Sequence, residues 1–363
     1  MTLANAPRRS RRGQQARKHK APRVIRQQLT PRTTNGASMT VATRPTGRGA
    51  QQSIPTGLRR GAGRRQARRT SFFVAPLPWY AYAGLALNLA SWYSSWAKVG
   101  PWAYTFFPIW FGFILVLDGL NVARTGTSPL KRSLGRFALL FVLSSPFWWV
   151  FEALNQPAQN WNYHLDHHYT PFAYGLITSI DYSTVLPAVL ELVELLAGFA
   201  ALRPRLNPRD MGGRLPFWAV VTLVAVGAGC ILATVYFPLY AFPLIWLCLV
   251  FLLDPINNLF GRKSAFGHLL AGDWRFIVTV PLATLICGFF WEMWNSHANP
   301  YWFYIIPYIN RPPYLFGGPA PHLFQMPLVG YLGYLPFGIE LFAMYQLALL
   351  ILQQRQRDDI LVV

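Results

Sequence analysis

The sequence has few charged residues and almost no acidic ones. Only 13% of its 363 residues are charged, whereas 53% are hydrophobic and 16% are aromatic. Such a balance argues against a soluble globular domain and is typical of proteins that cross a membrane several times. The composition therefore predicts an all-α polytopic membrane protein.

Acidic residues are absent from the first 70 positions. Residues 1–70 contain 18 Lys and Arg and no Asp or Glu, and the remaining 293 residues carry 15 basic and 13 acidic side chains. The arm thus carries +18 of the net charge of +20. It also has too little apolar material to form a core. We expect residues 1–70 to be a disordered basic arm.

Several roles are open for this arm. It could contact anionic lipid or nucleic acid, act as an Arg-rich targeting segment, or be a solvated extension without a function of its own. It could also precede the true start, because Met39 lies within it. It lacks the apolar run of a cleaved secretory signal peptide.

Signatures of metals, disulfides and nucleotides are also scarce. The three cysteines, Cys230, Cys248 and Cys287, fall in apolar segments without paired spacing, which supports neither a disulfide framework nor a thiolate metal site. The segment "NYHLDHHYTP" (162–171) has a His-rich composition, but its spacing is not specific for a metal. We predict no metal and no cofactor, and assign these histidines to interfacial hydrogen bonding.

Eight segments are long and apolar enough to span a bilayer, which takes about 20 residues. Lys and Arg mark the loops after the second, fourth and sixth segments, which predicts an even number of spans with both termini cytoplasmic. We also expect the membrane to be the plasma membrane of a prokaryote. The segments are approximately 76–96, 104–122, 137–154, 180–202, 216–236, 239–258, 275–294 and 329–352.

The second half of the chain repeats the first. "YTFFPIWFGFILVLDGLN" (104–121) and "YAFPLIWLCLVFLLDPIN" (240–257) share Tyr, Trp, Asp and Asn at identical spacing, and "FWWVFEALN" is followed by "WNYH" as "GFFWEMWN" is followed by "WFYI". We predict two tandem four-helix units in parallel orientation, related by a pseudo-twofold axis along the membrane normal. The units would be 71–203 and 216–363, joined by a cytoplasmic linker at 204–215.

Acidic residues recur inside the predicted spans of both units. Glu191 and Glu340 lie deepest, with Pro187 and Pro336 four residues earlier to kink each helix, and Glu152 and Glu292 lie nearer the outer interface. Such acids are costly in lipid and normally face the protein interior. They either join helices through hydrogen bonds, as we favour for Asp118 and Asp254 near the inner interface, or exchange protons with a ligand.

Aromatic and amide side chains surround these acids. Most of the tryptophans also fit an ordinary interfacial belt. With the four glutamates as candidate catalytic groups, the candidate ligand-binding residues are Trp148, Asn155, Trp291, Trp294, Asn295 and Tyr331.

These residues resemble the lycopene cyclase domain of the heterodimeric, integral-membrane type. "WEMWN", "WFY" and "LPFGIEL" follow one another in the second unit, as "VFEALN", "WNY" and "LPAVLEL" do in the first. The resemblance implies that Glu340 and Glu191 protonate a polyene and that Glu292 and Glu152 are their partners. In the family the Glu follows Pro by two residues and is usually doubled, whereas here it is single and follows by four.

Two classes of function remain open. The first is an enzyme that acts on a hydrophobic isoprenoid, a carotenoid cyclase-like isomerase in which buried glutamates move protons and aromatic faces stabilise a cation. The alternative is a non-enzymatic membrane protein, either a transporter or a scaffold that binds a lipid or pigment. Few other polar residues follow the helices, so either class favours a hydrophobic lipid or polyene ligand.

Overall fold

The computed structural model describes residues 73–205, 212–315, 317–355 and 359. The predicted basic arm, residues 1–70, and the middle of the predicted linker, 206–211, lie outside them. The described chain is mainly helical and has little sheet. Its helices are α1 (Trp79–Ala97), α2 (Phe106–Thr125), α3 (Pro129–Arg132), α4 (Leu134–Ala158), α5 (Pro171–Tyr182), α6 (Val185–Ala197), α7 (Phe217–Tyr236), α8 (Pro238–Ala241), α9 (Ile245–Leu259), α10 (Ala265–Leu270), α11 (Trp274–Asn295) and α12 (Tyr334–Ile351).

The predicted all-α polytopic membrane fold is confirmed. Seven helical segments of the described chain are long and apolar enough to cross a membrane. The remaining predicted span forms α1, a helix of 19 residues at the expected place, but it is not among those seven. The seven segments are Phe106–Thr125, Leu134–Ala158, Pro171–Ala197, Phe217–Tyr236, Pro238–Leu259, Trp274–Asn295 and Leu328–Ile351.

Helices α1 and α7 each pack against the next long helix, α1 on α2 and α7 on α9. Small residues allow the close approach: a Cβ at Gly112 of α2 would lie 2.7 Å from the Asn88 nitrogen of α1, and one at Gly227 of α7 would lie 2.6 Å from the Leu252 nitrogen of α9. The large side chains on the other side of α1 and α7 are exposed, as expected for surfaces that face lipid.

Two short helices, α3 and α10, follow α2 and α9 at the same end of the bundle. Ser128 and Ser264 cap them by accepting a hydrogen bond from the amide three residues later. Asp118 accepts from the Leu130 amide, and Asp254 accepts from the amides of Ala265 and Phe266. Both aspartates thus hold the start of a short helix, as their structural interpretation predicts.

Two short strands close the opposite end, which we call the strand end. Strands β1 (Trp161–His164) and β2 (Tyr301–Tyr304) pair antiparallel, with Trp161 opposite Tyr304 and Tyr163 opposite Trp302. Trp161 and Tyr163 of "WNYH" correspond in the repeat to Trp302 and Tyr304 of "WFYI". The repeat therefore relates the Trp161–Tyr304 pair to the Tyr163–Trp302 pair, and the ladder has the symmetry of the two units. Strands β3 (His322–Leu323) and β4 (Met326–Pro327) form a second small ladder.

The two predicted proline kinks are breaks between helices. Pro187 is the third residue of α6, after an interruption at Ser183 and Thr184, and Pro336 is the third residue of α12, after the 3₁₀ helix Leu328–Gly333. A proline is tolerated in a first helical turn, because the amide there has no intrahelical partner. The helices therefore start anew at these prolines instead of bending around them.

Candidate functional site

Glu152, near the C-terminal end of α4, is surrounded by aromatic hydrogen-bond donors. Its Oε1 accepts from the indoles of Trp148 at 2.9 Å and Trp161 at 3.1 Å. The same oxygen accepts from the hydroxyls of Tyr163 at 2.5 Å and Tyr182 at 3.3 Å. An acidic residue in an apolar span is thus supported by side chains from α4, β1 and α5.

Glu292 has the same arrangement in the second unit. Its Oε1 accepts from Tyr304 of β2 and Tyr334 of α12, both at 2.6 Å, and from the Trp302 indole at 3.3 Å. Glu292 is fully buried. The structure therefore contains two equivalent clusters, each with one Glu, two Tyr hydroxyls and a strand Trp.

Asn155 and Asn295 hold the strands that carry these donors. The Asn155 amide group donates to the Trp161 carbonyl at 2.8 Å, and its oxygen accepts from the Asn160 amide at 2.7 Å. Asn295 likewise donates to the Trp302 carbonyl at 2.7 Å and accepts from the Trp302 amide at 2.8 Å. The Glu-x-x-Asn pattern thus combines an acceptor for the aromatic donors with an anchor for their strand.

Burial keeps the strand tyrosines neutral. It raises the pKa of Tyr163 and of Tyr304 well above the usual range, and the glutamates beside them act in the same direction. Both phenols therefore remain hydrogen-bond donors across the physiological pH range.

A cavity of about 450 Å³ lies between the two clusters. Trp148, Tyr163 and Tyr182 line it from the first unit, and Trp302, Tyr304 and Tyr334 line it from the second. Trp291 also lines it and stacks on Tyr334 at 5.9 Å between ring centroids. Glu152 and Glu292 lie behind these aromatic groups, so the cavity wall presents their tyrosine and tryptophan partners.

Glu191 and Glu340 are fully buried but do not belong to the wall of this cavity as the described residues form it. Glu191 accepts a hydrogen bond from Asn121 of α2 at 2.8 Å, and Glu340 accepts one from the Leu249 amide of α9 at 3.0 Å. Both acids join neighbouring helices within their own unit.

Trp294 and Tyr331 lie away from the cavity wall. Trp294 packs on Trp110 across the seam between the units, with centroids 4.9 Å apart. The Tyr331 hydroxyl donates to the Leu323 carbonyl at 3.3 Å. Trp110 also contacts Trp291, as the equivalent Trp246 of the second unit contacts Phe151, so aromatic rings fill both halves of the seam.

In the structure, α12 is shifted by about one helical turn from the alignment that the repeat in the sequence predicts. The repeat in the sequence aligns Tyr182 with Tyr331, because each lies five residues before the proline of its segment. In the structure, however, Tyr334 bonds to Glu292 as Tyr182 bonds to Glu152. The carbonyl groups that accept from Asn121 and Asn257 belong to Glu191 and Ala343, which are also 152 positions apart. Glu191 and Glu340 are therefore not equivalent in space.

The His-rich loop forms ordinary polar contacts. His164 lies 3.3 Å from the Asp166 carboxylate, and the amides of Asp166 and His167 donate to the Asn299 oxygen. Among the residues that the structure describes, no three His, Cys, Asp or Glu side chains converge as a metal site would require.

No protein-family model, curated protein or solved structure matches this chain.

Sequence reasoning did not select Tyr182, Tyr334 or Asp181, three residues of the cavity wall. The other two tyrosines of the wall, Tyr163 and Tyr304, lie at matching positions of the repeated "WNYH" and "WFYI" segments. Tyr334 was missed because Tyr331, one helical turn earlier, matches the spacing to Pro336 and Glu340 better. Asp181 was missed because the second unit offers no acid at the matching place.

Proposed function

We propose that the protein is an integral membrane enzyme that acts on a hydrophobic isoprenoid, a carotenoid cyclase-like isomerase that uses acid-base chemistry. The observation that carries this proposal is the cavity lined by aromatic rings and by tyrosine hydroxyls that are bonded to buried glutamates. The resemblance to the lycopene cyclase domain family supports the same class of substrate.

The lining fits an apolar ligand that passes through a cation. Trp148, Trp246 and Trp291 line the cavity, and an indole ring stabilises positive charge on a molecule bound over its face. Tyr334 can receive a proton from the ligand while it gives its own to Glu292, because its hydroxyl already bonds to that carboxylate. No redox step is needed for such a rearrangement.

The cavity also has an apolar rim. Pro243, Val329 and Leu332 line it and are exposed, Leu332 at 62% of its surface. Because these side chains are apolar and belong to spanning segments, a ligand dissolved in the lipid can reach the cavity sideways. A volume of about 450 Å³ suits one end of a long polyene better than the whole molecule.

Expression of the full chain in cells that accumulate lycopene tests the proposal. We expect new cyclised pigments. We expect Glu292→Gln to reduce their amount more than Glu340→Gln, because only Glu292→Gln removes a carboxylate that can take a proton from a tyrosine of the cavity wall. An unchanged pigment profile with the wild-type chain would contradict the cyclase.

A pigment-binding scaffold is the second candidate, because an aromatic cavity holds a polyene even without chemistry. Its distinguishing result is unchanged lycopene that co-purifies with the protein.

The location in a prokaryotic plasma membrane and the cytoplasmic termini stay predictions, which reporter fusions at both ends would test.

A further inference from the structure

The cavity wall contains one carboxylate among its described residues, that of Asp181. Asp181 lies in the last turn of α5, next to Tyr182, whose hydroxyl bonds to Glu152. Helix α5, which carries Asp181, packs against α4 and α2. This packing holds one acid in the wall of a mainly aromatic and apolar cavity.

Asp181 has no counterpart in the second unit. The equivalence of Tyr182 and Tyr334 places Gly333 where Asp181 would be repeated. Both units therefore present tyrosines backed by a glutamate, but only the first presents a carboxyl group directly. Among the described residues of the wall, the duplicated site is therefore asymmetric in its carboxyl group.

We propose that Asp181 is the general acid of the cavity and protonates the terminal double bond of a linear polyene. This assignment rests on the proposed function. It gives a nearly symmetric cavity a direction, with the acid on the first unit and the Tyr334 and Glu292 pair on the second.

The step balances without a redox partner. The protonated carboxyl of Asp181 gives its proton to the terminal double bond, whose π electrons form the new C–H bond and leave a tertiary cation. The π electrons of a second double bond close the ring by forming a C–C bond to that cation. Tyr334 then takes a proton from the carbon next to the new cation, passes its own to Glu292 and leaves a double bond in the ring. A proton returns from Glu292 to Asp181 through bulk water between turnovers.

The test compares full-length Asp181→Asn and Asp181→Glu with wild type in membranes supplied with lycopene in D₂O. General acid catalysis contributes about 10² to 10⁴ in rate, so we expect Asp181→Asn to lower kcat by about 100-fold or more with little change in KM. Asp181→Glu retains the acid, and we expect it to stay within about tenfold of wild type. Wild-type product should carry deuterium at the protonated carbon.

Asp166→Asn is the matched control, because Asp166 lies in an exposed loop with Lys98 and His164. It should turn over lycopene at the wild-type rate. Quenching of tryptophan fluorescence by lycopene shows whether each variant still binds, and Asp181→Asn should bind as wild type does.

If the wild-type chain forms product and the kcat of Asp181→Asn is within about threefold of the wild-type value, the assignment of Asp181 is overturned and the proposed function stands. A wild-type chain that binds lycopene but forms no product overturns both. If Asp181→Asn does not fold, the pH dependence of kcat in Asp181→Glu decides instead: a shifted acidic limb supports the assignment, and an unchanged limb contradicts it.

Discussion

Tyr334 and Tyr331 lie one helical turn apart and make different contacts. The Tyr334 hydroxyl bonds to the buried Glu292 at 2.6 Å, whereas Tyr331 donates at 3.3 Å to the Leu323 carbonyl in an exposed setting. We predict that Tyr334→Phe lowers the free energy of unfolding by about 1.5 to 3 kcal/mol, the usual contribution of a hydrogen bond to a charged group. Unfolding in detergent, followed by tryptophan fluorescence, measures the change.

Tyr331→Phe is the control for that prediction. It removes a hydroxyl of the same kind but leaves the Glu292 cluster complete, so its effect should be within about 0.5 kcal/mol of zero. Equal losses for the two variants would show that the hydrogen bond to Glu292 is not what distinguishes these tyrosines.

The strand tyrosines predict a stability that falls at alkaline pH. In the unfolded chain a phenol ionises near its ordinary pKa of 10.0, whereas burial raises the pKa of Tyr163 and Tyr304 in the folded protein. Above about pH 10 the unfolded state therefore binds fewer protons than the folded state, and the free energy of unfolding decreases as the pH rises. Below that pH the two tyrosines contribute no pH dependence.

Unfolding measured between pH 8 and pH 11 checks this expectation. The double variant Tyr163→Phe and Tyr304→Phe should show a shallower decrease above pH 10 than wild type. An identical slope in the two proteins would assign the alkaline loss to other groups.

Close packing between α11 and α12 positions Tyr334. A Cβ on Gly288 of α11 would overlap the Tyr334 ring. We predict that Gly288→Ala displaces this ring, weakens its bond to Glu292 and destabilises the protein by about 1 to 3 kcal/mol, the usual cost of overpacking. Product formation in the lycopene assay should decrease in parallel.

Gly229 in α7 provides the matched control. It also lies in a spanning helix, but a Cβ there would meet nothing within 4 Å. Gly229→Ala should be neutral or stabilise the helix by about 0.5 to 1 kcal/mol. If Gly229→Ala lowered the stability as much as Gly288→Ala, the effect would come from replacing any helix glycine and not from the contact with Tyr334.

Much of the fold follows from sequence pattern at the scale of whole elements. Apolar runs locate most of the spans to within a few residues, because bilayer thickness fixes their length. The fourth span is the exception, because it was predicted at 180–202 and is Pro171–Ala197 in the structure. The repeated Glu-x-x-Asn marks the clusters, because a buried acceptor needs donors and their strand needs an anchor. The register of α12 does not follow, because Tyr331 and Tyr334 both fit an apolar helix and only contacts with α11 choose between them.

The cavity depends on how the two units meet, which a linear pattern does not contain. The seam consists of aromatic rings from both units, such as Trp110 against Trp291 and Trp161 against Trp246. Trp161 and Trp246 are not related by the repeat, so aligning the units does not bring them together. Asp181 could not be predicted from the repeat either, because the second unit has Gly333 at the equivalent position.

The β1–β2 ladder gives a direct test of the whole arrangement. Asn162 and Phe303 are opposite one another across the seam, and Cβ atoms at such positions are about 4.5 to 5.5 Å apart, close to the distance that a disulfide requires. We predict that Asn162→Cys with Phe303→Cys forms a disulfide on oxidation, in a background where Cys230, Cys248 and Cys287 are replaced by Ala.

A protease site inserted between residues 205 and 212 makes the cross-link visible. After cleavage, the two halves should migrate together on a non-reducing denaturing gel and separate after reduction. Asn162→Cys with Tyr301→Cys is the control, because Tyr301 is opposite His164 in the ladder and this pair is out of register. Equal cross-linking of both pairs would contradict the register, and no cross-linking of the first would contradict the seam on which the cavity depends.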